Sequence, residues 1–385
     1  MPEPTITCIV TIHGIGFQHA PESGEQGYAD GLHQRLAARL GDELSGDPVS
    51  EFGRPAGTGA IYVHSDWPPE SGMTEAGLKR LGAWPESDAS HRSIDSDGVP
   101  LVEEGCRVAH VALVYAGLEE REPHLGASLE TLAKAIISHG QYATLPSLIH
   151  TGLEDLWAVV RHGRQGDVKS TPSLQVRDSG TVTASDSSGT LDVLKQLDED
   201  VATYVCRNDL RERVRSFVHD AVLRLCFRPD VKNVVVNAHS QGTVLAFDEL
   251  RTLPPIAVDR VKWFVTAGSP LRKYVDIFYW GTDASSIYRM GWTNFWDDMD
   301  PVADPLIPSK DWRRGGPIPP SPAASELFGA LSQSSGGPVP VTIDDRQVSN
   351  AAHGAGGGLP AHNYWDNDEQ FVEPLADIVR TMMQR

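Results

Sequence analysis

Short apolar runs alternate along the chain with segments of helical periodicity. An apolar run without polar alternation is typical of a strand that is covered on both faces of a sheet. Such runs predict strands over 6–12, 60–64, 108–115, 234–236, 261–266, 292–296 and 339–343. Apolar residues at helical spacing predict helices over 28–44, 125–162, 210–225, 243–250 and 368–383. This alternation predicts an α/β fold with a mostly parallel sheet flanked by helices.

The most informative segment follows the strand at 234–236 and reads AHSQG over 238–242. Small residues on both sides of Ser240 allow a sharp strand-to-helix turn, in which the serine Oγ projects from the edge of the sheet. Ala238 replaces the glycine of the strict G-x-S-x-G pattern but adds only one methyl group. The segment therefore predicts Ser240 as a nucleophile, although a serine in an ordinary strand-turn-helix gives a similar pattern.

A glycine-containing turn follows the first predicted strand, with the sequence HGIG over 13–16. Backbone N–H groups in such a turn can stabilise an oxyanion. We expect the first donor in the backbone around Gly14 and Ile15, with Gly16 and Phe17 as alternatives. The backbone N–H of Gln241 is the expected second donor. A glycine-rich turn without catalytic function is the other interpretation.

An acidic segment follows the predicted strand at 292–296. An acid at the end of a strand, fixed by a proline turn, is suited to orient a histidine and to stabilise the imidazolium. Asp300, which precedes Pro301, is the preferred candidate. Asp297, Asp298 and Asp304 lie close enough in sequence to compete, and for any one of the four acids a place in a solvated acidic loop is more common than a catalytic role.

The candidate base lies near the end of the chain. His362 occupies a loop between a predicted strand and the last predicted helix, where it can reach the same sheet edge as the serine. His353 is the alternative, but its glycine-rich surroundings are too flexible to hold a base in place.

Together these segments resemble the α/β-hydrolase superfamily. The similarity rests on HGIG at 13–16, AHSQG at 238–242, GSPL at 268–271, DPV at 300–302 and a late His362, and is greatest to the lipase and esterase branches. It covers mainly 5–20, 230–305 and the surroundings of His362. The resemblance implies an α/β-hydrolase fold with Ser240 as nucleophile, His362 as general base and acid, and Asp300 as its orienting partner.

The resemblance implies a serine hydrolase, a carboxylesterase or lipase that cleaves a small-molecule or lipid ester through an acyl-enzyme. The same residues serve a thioesterase, an amidase or an acyltransferase, and the same fold also serves as a non-catalytic binding scaffold. No metal or organic cofactor is implied. Substrate identity and oligomeric state are not readable from the chain.

We expect one α/β-hydrolase domain over 1–385. Residues 117–205 interrupt the resemblance with helical patterns and a polar stretch. This insertion either caps the active site or adds helices that pack against the sheet. A second segment, 308–340, is rich in proline and glycine and predicts an irregular loop.

Charge and composition exclude some partners. The net charge is −19, from 52 acidic and 33 basic residues, and no basic run is present. Nucleic-acid binding is therefore disfavoured, because phosphate contacts need a basic surface. We expect no integral membrane segment, because no long apolar stretch appears, and we expect a soluble, cytoplasmic enzyme. The four scattered cysteines have no metal-ligand spacing and predict unpaired thiols.

Overall fold

A computed structural model describes the part of the chain that builds the sheet. It covers residues 5–14, 29–46, 49–52, 94, 101–114, 208–272, 286–288, 290–300, 302–303, 305–307, 328–331, 339–340, 342–350 and 359–385. The predicted strand at 60–64, the predicted helix at 125–162 and the insertion at 117–205 lie outside the described residues.

The described strands are β1 Ile6–Ile12, β2 Val49–Phe52, β3 Val108–Val114, β4 Val231–His239, β5 Val261–Ala267, β6 Ser286–Tyr288, β7 Gly291–Asp297, β8 Gly329–Leu331, β9 Val339–Pro340 and β10 Asp344–Val348. The helices are α1 Asp30–Leu40, α2 Asn208–Phe227, α3 Gln241–Thr252, α4 Pro255–Val258 and α5 Glu373–Gln384. A π-helical turn at Asp368–Val372 leads into α5.

Seven of the described strands form one sheet, in the order β10-β7-β5-β4-β1-β3-β2. All of its pairings are parallel. The prediction of a mostly parallel sheet flanked by helices is therefore confirmed. The other three described strands form a small sheet, in which β6 pairs parallel with β8 and β8 pairs antiparallel with β9.

Helices cover both faces of the large sheet, which explains why its central strands are almost continuously apolar. On one face, Phe217 of α2 and Phe247 of α3 join a buried cluster with Trp292. On the other face, Leu36 of α1 and Val379 of α5 belong to a second buried cluster. The sheet thus forms the middle layer between two helical layers.

The strand order brings the carboxyl ends of several strands together. β1 and β4 are neighbours; the chain crosses from β3, on one side of β1, to β4 on the other side, and then runs outward through β5, β7 and β10. In parallel sheets, ligands bind outside the carboxyl ends of the strands at such a switch point. The register pairs Ile12 with Ala238, His239 with Ala267, and Ala267 with Phe295. The residues that follow β1, β4, β5 and β7 therefore meet at one edge.

Two sequence predictions need correction near the second sheet. The strand predicted at 339–343 ends at Pro340, and the next strand, β10, occupies Asp344–Val348. β10 is an edge strand with exposed Asp344 and Arg346, so it lacks the apolar pattern used to predict buried strands. β8 and β9 lie within the segment 308–340 that the sequence predicts as an irregular loop.

The described cysteines carry free thiols. Cys8 and Cys226 are buried, whereas Cys106 is partly exposed. Within the described segments, no helix combines the length and apolar character needed to cross a membrane.

Candidate active site

Ser240 lies in a strained turn between β4 and α3. Its φ of 55° and ψ of −133° place it in a region that side chains rarely occupy, and it is the one non-glycine residue with positive φ in the described part of the chain. Such strain costs about 1–3 kcal/mol and persists only where the surroundings enforce it. The Ser240 N–H donates to the Ala267 carbonyl at 2.9 Å, which ties the turn to β5.

Two glycines let the turn after β1 approach this serine. A Cβ on Gly242 would lie 2.3 Å from the His13 carbonyl oxygen, so only glycine lets α3 begin this close to the end of β1. A Cβ on Gly14 would lie 2.3 Å from Ser240 Cβ and 2.9 Å from its Oγ. The HG turn is therefore in contact with the serine.

The oxyanion donors are only partly described. Gly14 lies against Ser240, and Gln241 is the first residue of α3, where backbone N–H groups have no partner within the helix. Ile15, Gly16 and Phe17 lie outside the described residues. The assignment of Ile15 as a donor stays a prediction.

His362 and Asp300 form a hydrogen-bonded pair. His362 Nδ1 donates to Asp300 Oδ2 at 2.8 Å, and the Asp300 side chain is completely buried. Because a carboxylate only accepts, the Nδ1 atom carries the proton. In its neutral form the ring then presents an unprotonated Nε2, which is the tautomer that a general base requires.

Two further donors hold the Asp300 carboxylate. Tyr364 Oη donates to Oδ2 at 2.9 Å, and the Val302 N–H donates to Oδ1 at 2.8 Å. Burial acts to raise the pKa of Asp300, but the charge of His362 and the hydrogen bonds from His362, Val302 and Tyr364 outweigh it and lower the pKa below its usual value. Asp300 therefore remains a carboxylate near neutral pH.

The other candidate acids have different surroundings. Asp297 is buried, but its carboxylate accepts from the backbone N–H groups of Met299 and Asn350, so it shapes the acidic turn. Burial raises the pKa of Asp297, with Asp298 and Asp300 adding to the rise against those two hydrogen bonds. Asp298 is exposed, and Asp304 lies outside the described residues, as does His353.

Several polar atoms at this edge are buried without a partner. Ser240 Oγ and His362 Nε2 have no hydrogen-bond partner in the described structure, and neither has either polar atom of the Gln241 side chain. Buried unpaired polar groups are rare in native proteins, and they concentrate where a ligand or reactant completes the bonding. The hydroxyl and the imidazole nitrogen are thus both available for chemistry.

Gly268, which follows β5, makes room for the histidine. Its φ is +61°, and a Cβ at this position would lie 2.7 Å from His362 Cε1. A glycine is therefore required here both by the backbone conformation and by the histidine ring.

Three residues of the site escape the sequence analysis. His239 lies inside the AHSQG segment, where the pattern assigns it no function. Tyr364 lies two residues after His362 in HNYW, and Gly268 belongs to GSPL. A tyrosine beside a candidate base and a glycine after a strand were visible signals. Their meaning depends on neighbours from distant segments.

The site carries no described metal cluster. Among the described residues, no group of three or more His, Cys, Asp or Glu side chains is arranged to hold a metal ion.

Comparison with known proteins returned no family model, no curated protein and no solved structure that matches this chain. The geometry of Ser240, His362 and Asp300 is therefore the basis for assigning a function.

Proposed function

We propose that the protein is a serine hydrolase with an α/β-hydrolase fold, which cleaves a carboxylic ester through an acyl-enzyme on Ser240. The proposed substrate is a small-molecule or lipid ester. The single observation that supports this proposal best is the arrangement at the strand ends. A strained serine and a histidine held by a buried carboxylate both present an unpartnered reactive atom at one sheet edge.

The proposed reaction has two steps. His362 Nε2 takes the Ser240 proton as Oγ attacks the ester carbonyl, and the imidazolium then protonates the departing alcohol. Water enters, loses a proton to His362 Nε2 and releases the acid from Ser240. Asp300 stabilises the imidazolium in both steps, because it is an ionised carboxylate 2.8 Å from Nδ1. Backbone N–H groups near Gly14 and at Gln241 are the proposed oxyanion donors.

Acyl transfer by this machinery includes other reactions. Thioester cleavage, amide cleavage and transfer to an alcohol use the same three residues. A non-catalytic scaffold is the alternative from a different class. The orphaned Ser240 Oγ and His362 Nε2 argue against a scaffold, because a structural site normally satisfies its buried polar atoms.

We also propose a cytoplasmic location. Its support is chemical: the described cysteines, Cys8, Cys106 and Cys226, are all free thiols. Free thiols are the usual state of cysteine in reducing compartments.

Turnover of p-nitrophenyl esters with acetyl, butyryl and octanoyl chains tests the proposal. We expect hydrolysis by the wild type and a loss of at least about 10⁴-fold in kcat for Ser240→Ala. Ser45→Ala is the matched control, because Ser45 is as buried as Ser240, at 2% exposure, and lies outside the site. Thioester and anilide analogues of the best substrate then identify the preferred bond.

Two outcomes contradict the proposal. Equal rates in wild type and Ser240→Ala would assign any activity to another residue. A folded wild type that cleaves none of the ester, thioester and anilide substrates would favour the scaffold.

A further inference from the structure

Two consecutive carbonyl groups in the loop of the candidate base accept hydrogen bonds from distant side chains. Asn350, which follows β10, donates from Nδ2 to the Ala361 carbonyl at 2.6 Å. His239, the last residue of β4, donates from Nε2 to the His362 carbonyl at 2.8 Å. The peptide groups on both sides of His362 are therefore held, one by a residue that follows β10 and the other by the last residue of β4.

The bond from His239 is the more informative of the two, because His239 directly precedes Ser240 in the chain. Its ring also packs against the loop: the ring centroids lie 4.5 Å from His362, 5.1 Å from Trp365 and 5.9 Å from Tyr364. Ser240 and His362 are therefore linked through one residue, His239, which is the chain neighbour of Ser240 and donates a hydrogen bond to the His362 backbone. No other described hydrogen bond joins the elbow, the turn over 238–242 between β4 and α3, to the His362 backbone.

The protonation state of His239 suits this contact. A carbonyl oxygen only accepts, so Nε2 must carry the proton. Burial, with the charge of His362 as the next cause, lowers the pKa of His239 to about 3. A neutral ring places no positive charge beside His362, where a charge would oppose formation of an imidazolium.

We infer that His239 is a positioning residue, which fixes the backbone of His362 relative to Ser240 and so sets the distance between the nucleophile and its base. This inference rests on the proposed function. A displacement of about 1 Å at reacting groups can lower a rate about 100-fold. Loss of the His239 donor should therefore slow the chemical step while leaving ligand binding unchanged.

Phosphonylation kinetics test this inference without a known substrate. A fluorophosphonate probe gives a maximal labelling rate constant and a half-saturation concentration. We compare wild type with His239→Met and His239→Gln, which have side chains of the same length, although only glutamine keeps an N–H donor. His239→Phe keeps an aromatic ring and replaces the methionine variant if that variant does not fold.

We expect the maximal labelling rate to fall about 10- to 100-fold in His239→Met, with the half-saturation concentration unchanged. His239→Gln should recover most of the loss and label within about fivefold of wild type. His110→Gln is the control, because His110 is another buried histidine on the same face of the sheet. It should label at the wild-type rate.

The outcomes that overturn the inference are distinct from failure of the proposed function. Wild-type rates in both His239 variants, or an equal loss in both, would exclude the hydrogen bond as the cause. A similar loss in His110→Gln would indicate general loosening of the core, and would also overturn the inference about His239. A folded wild type that never labels would refute the proposed function, and this inference would fall with it.

Discussion

Buried histidines occur in two regions on one face of the sheet, and their bonding differs. His33 and His110, beside β1 and β3, have a hydrogen-bond partner for each ring nitrogen. His362, beside β4 and β7, has a partner for Nδ1 but none for Nε2. Both regions are buried and both are polar. The two regions differ in whether every ring nitrogen has a hydrogen-bond partner.

The first region forms a continuous hydrogen-bonded chain. Asn237 Nδ2 donates to Thr11 Oγ1 at 3.2 Å, and Thr11 Oγ1 donates to His110 Nε2 at 2.7 Å. His110 Nδ1 then donates to His33 Nδ1 at 3.2 Å, and His33 Nε2 donates to the Gly46 carbonyl. The donor directions follow from that final carbonyl, which only accepts. These donor directions apply to neutral rings.

The comparison teaches that burial alone does not mark a reactive histidine. A satisfied ring stabilises the core, whereas an orphaned nitrogen and an orphaned hydroxyl at the same sheet edge form an incomplete network that a substrate can complete. The predictions below test this distinction.

The largest expected effect separates the two regions directly. His362→Gln should lower kcat for p-nitrophenyl butyrate at least about 10⁴-fold, because it removes the proposed general base that Asp300 holds. His110→Gln should keep kcat within about twofold but lose about 1–3 kcal/mol of unfolding free energy, through broken buried hydrogen bonds. Ester hydrolysis and urea unfolding measure the two effects. Comparable loss of activity in both variants would remove the distinction.

Acid should destabilise the protein through its buried neutral histidines. Burial lowers the pKa of His13 to about 4, and burial with the neighbouring His33 lowers that of His110 to about 3. Between pH 6.5 and about 4 the unfolded chain binds protons that these native rings reject, so stability falls as pH falls. At pH 5 each ring accounts for about 2 kcal/mol of lost stability.

Urea unfolding at pH 7 and pH 5 measures this loss. His110→Gln should reduce the difference in unfolding free energy between pH 7 and pH 5 by about 2 kcal/mol. An unchanged difference would mean that His110 is not the neutral, buried group described above.

Gly268→Ala should lower kcat about 100-fold, since its Cβ would displace the His362 ring. Gly41→Ala is a matched control, because Gly41 has a similar φ of +58° with no atom within 4 Å of the added Cβ. Both variants should lose about 1 kcal/mol of stability from backbone strain, but Gly41→Ala should retain full activity. Loss of activity in the Gly41 variant would show that the strain, and not the contact with His362, matters.

The smallest effect is expected for Tyr364→Phe, which removes one donor to Asp300 while keeping the buried ring. We expect kcat to fall about tenfold and the pKa of Asp300 to rise toward its ordinary value. The pH dependence of kcat and a carbon NMR titration of Asp300 measure these changes. A wild-type titration in this variant would exclude Tyr364 as a support of the carboxylate.

How much of the fold the sequence predicts depends on burial. β1, α1 and β5 lie close to their predicted bounds, because the two strands are nearly continuous buried apolar runs and the helix buries one apolar face. β10 is missed because Asp344 and Arg346 face solvent at the sheet edge, so the segment lacks an apolar pattern. Its strand conformation is evident only from its pairing with β7. A local pattern cannot report a pairing partner that lies fifty residues away.

The candidate site shows the same limit. The sequence separates Ser240 from other serines, because the elbow pattern is local. The choice among four acids is not local: Asp297 and Asp300 are three residues apart, and only tertiary structure places one against His362 and the other against backbone amides. The contacts of His239 and Tyr364 likewise depend on segments that meet only in the folded protein.

The most direct test of the central claim is peptide mass mapping after reaction with a fluorophosphonate. We expect a single covalent adduct per chain, located on Ser240, and no adduct in folded His362→Gln over the same time. A folded wild-type protein without an adduct, or with its adduct on another residue, would contradict the assignment of Ser240 as an activated nucleophile.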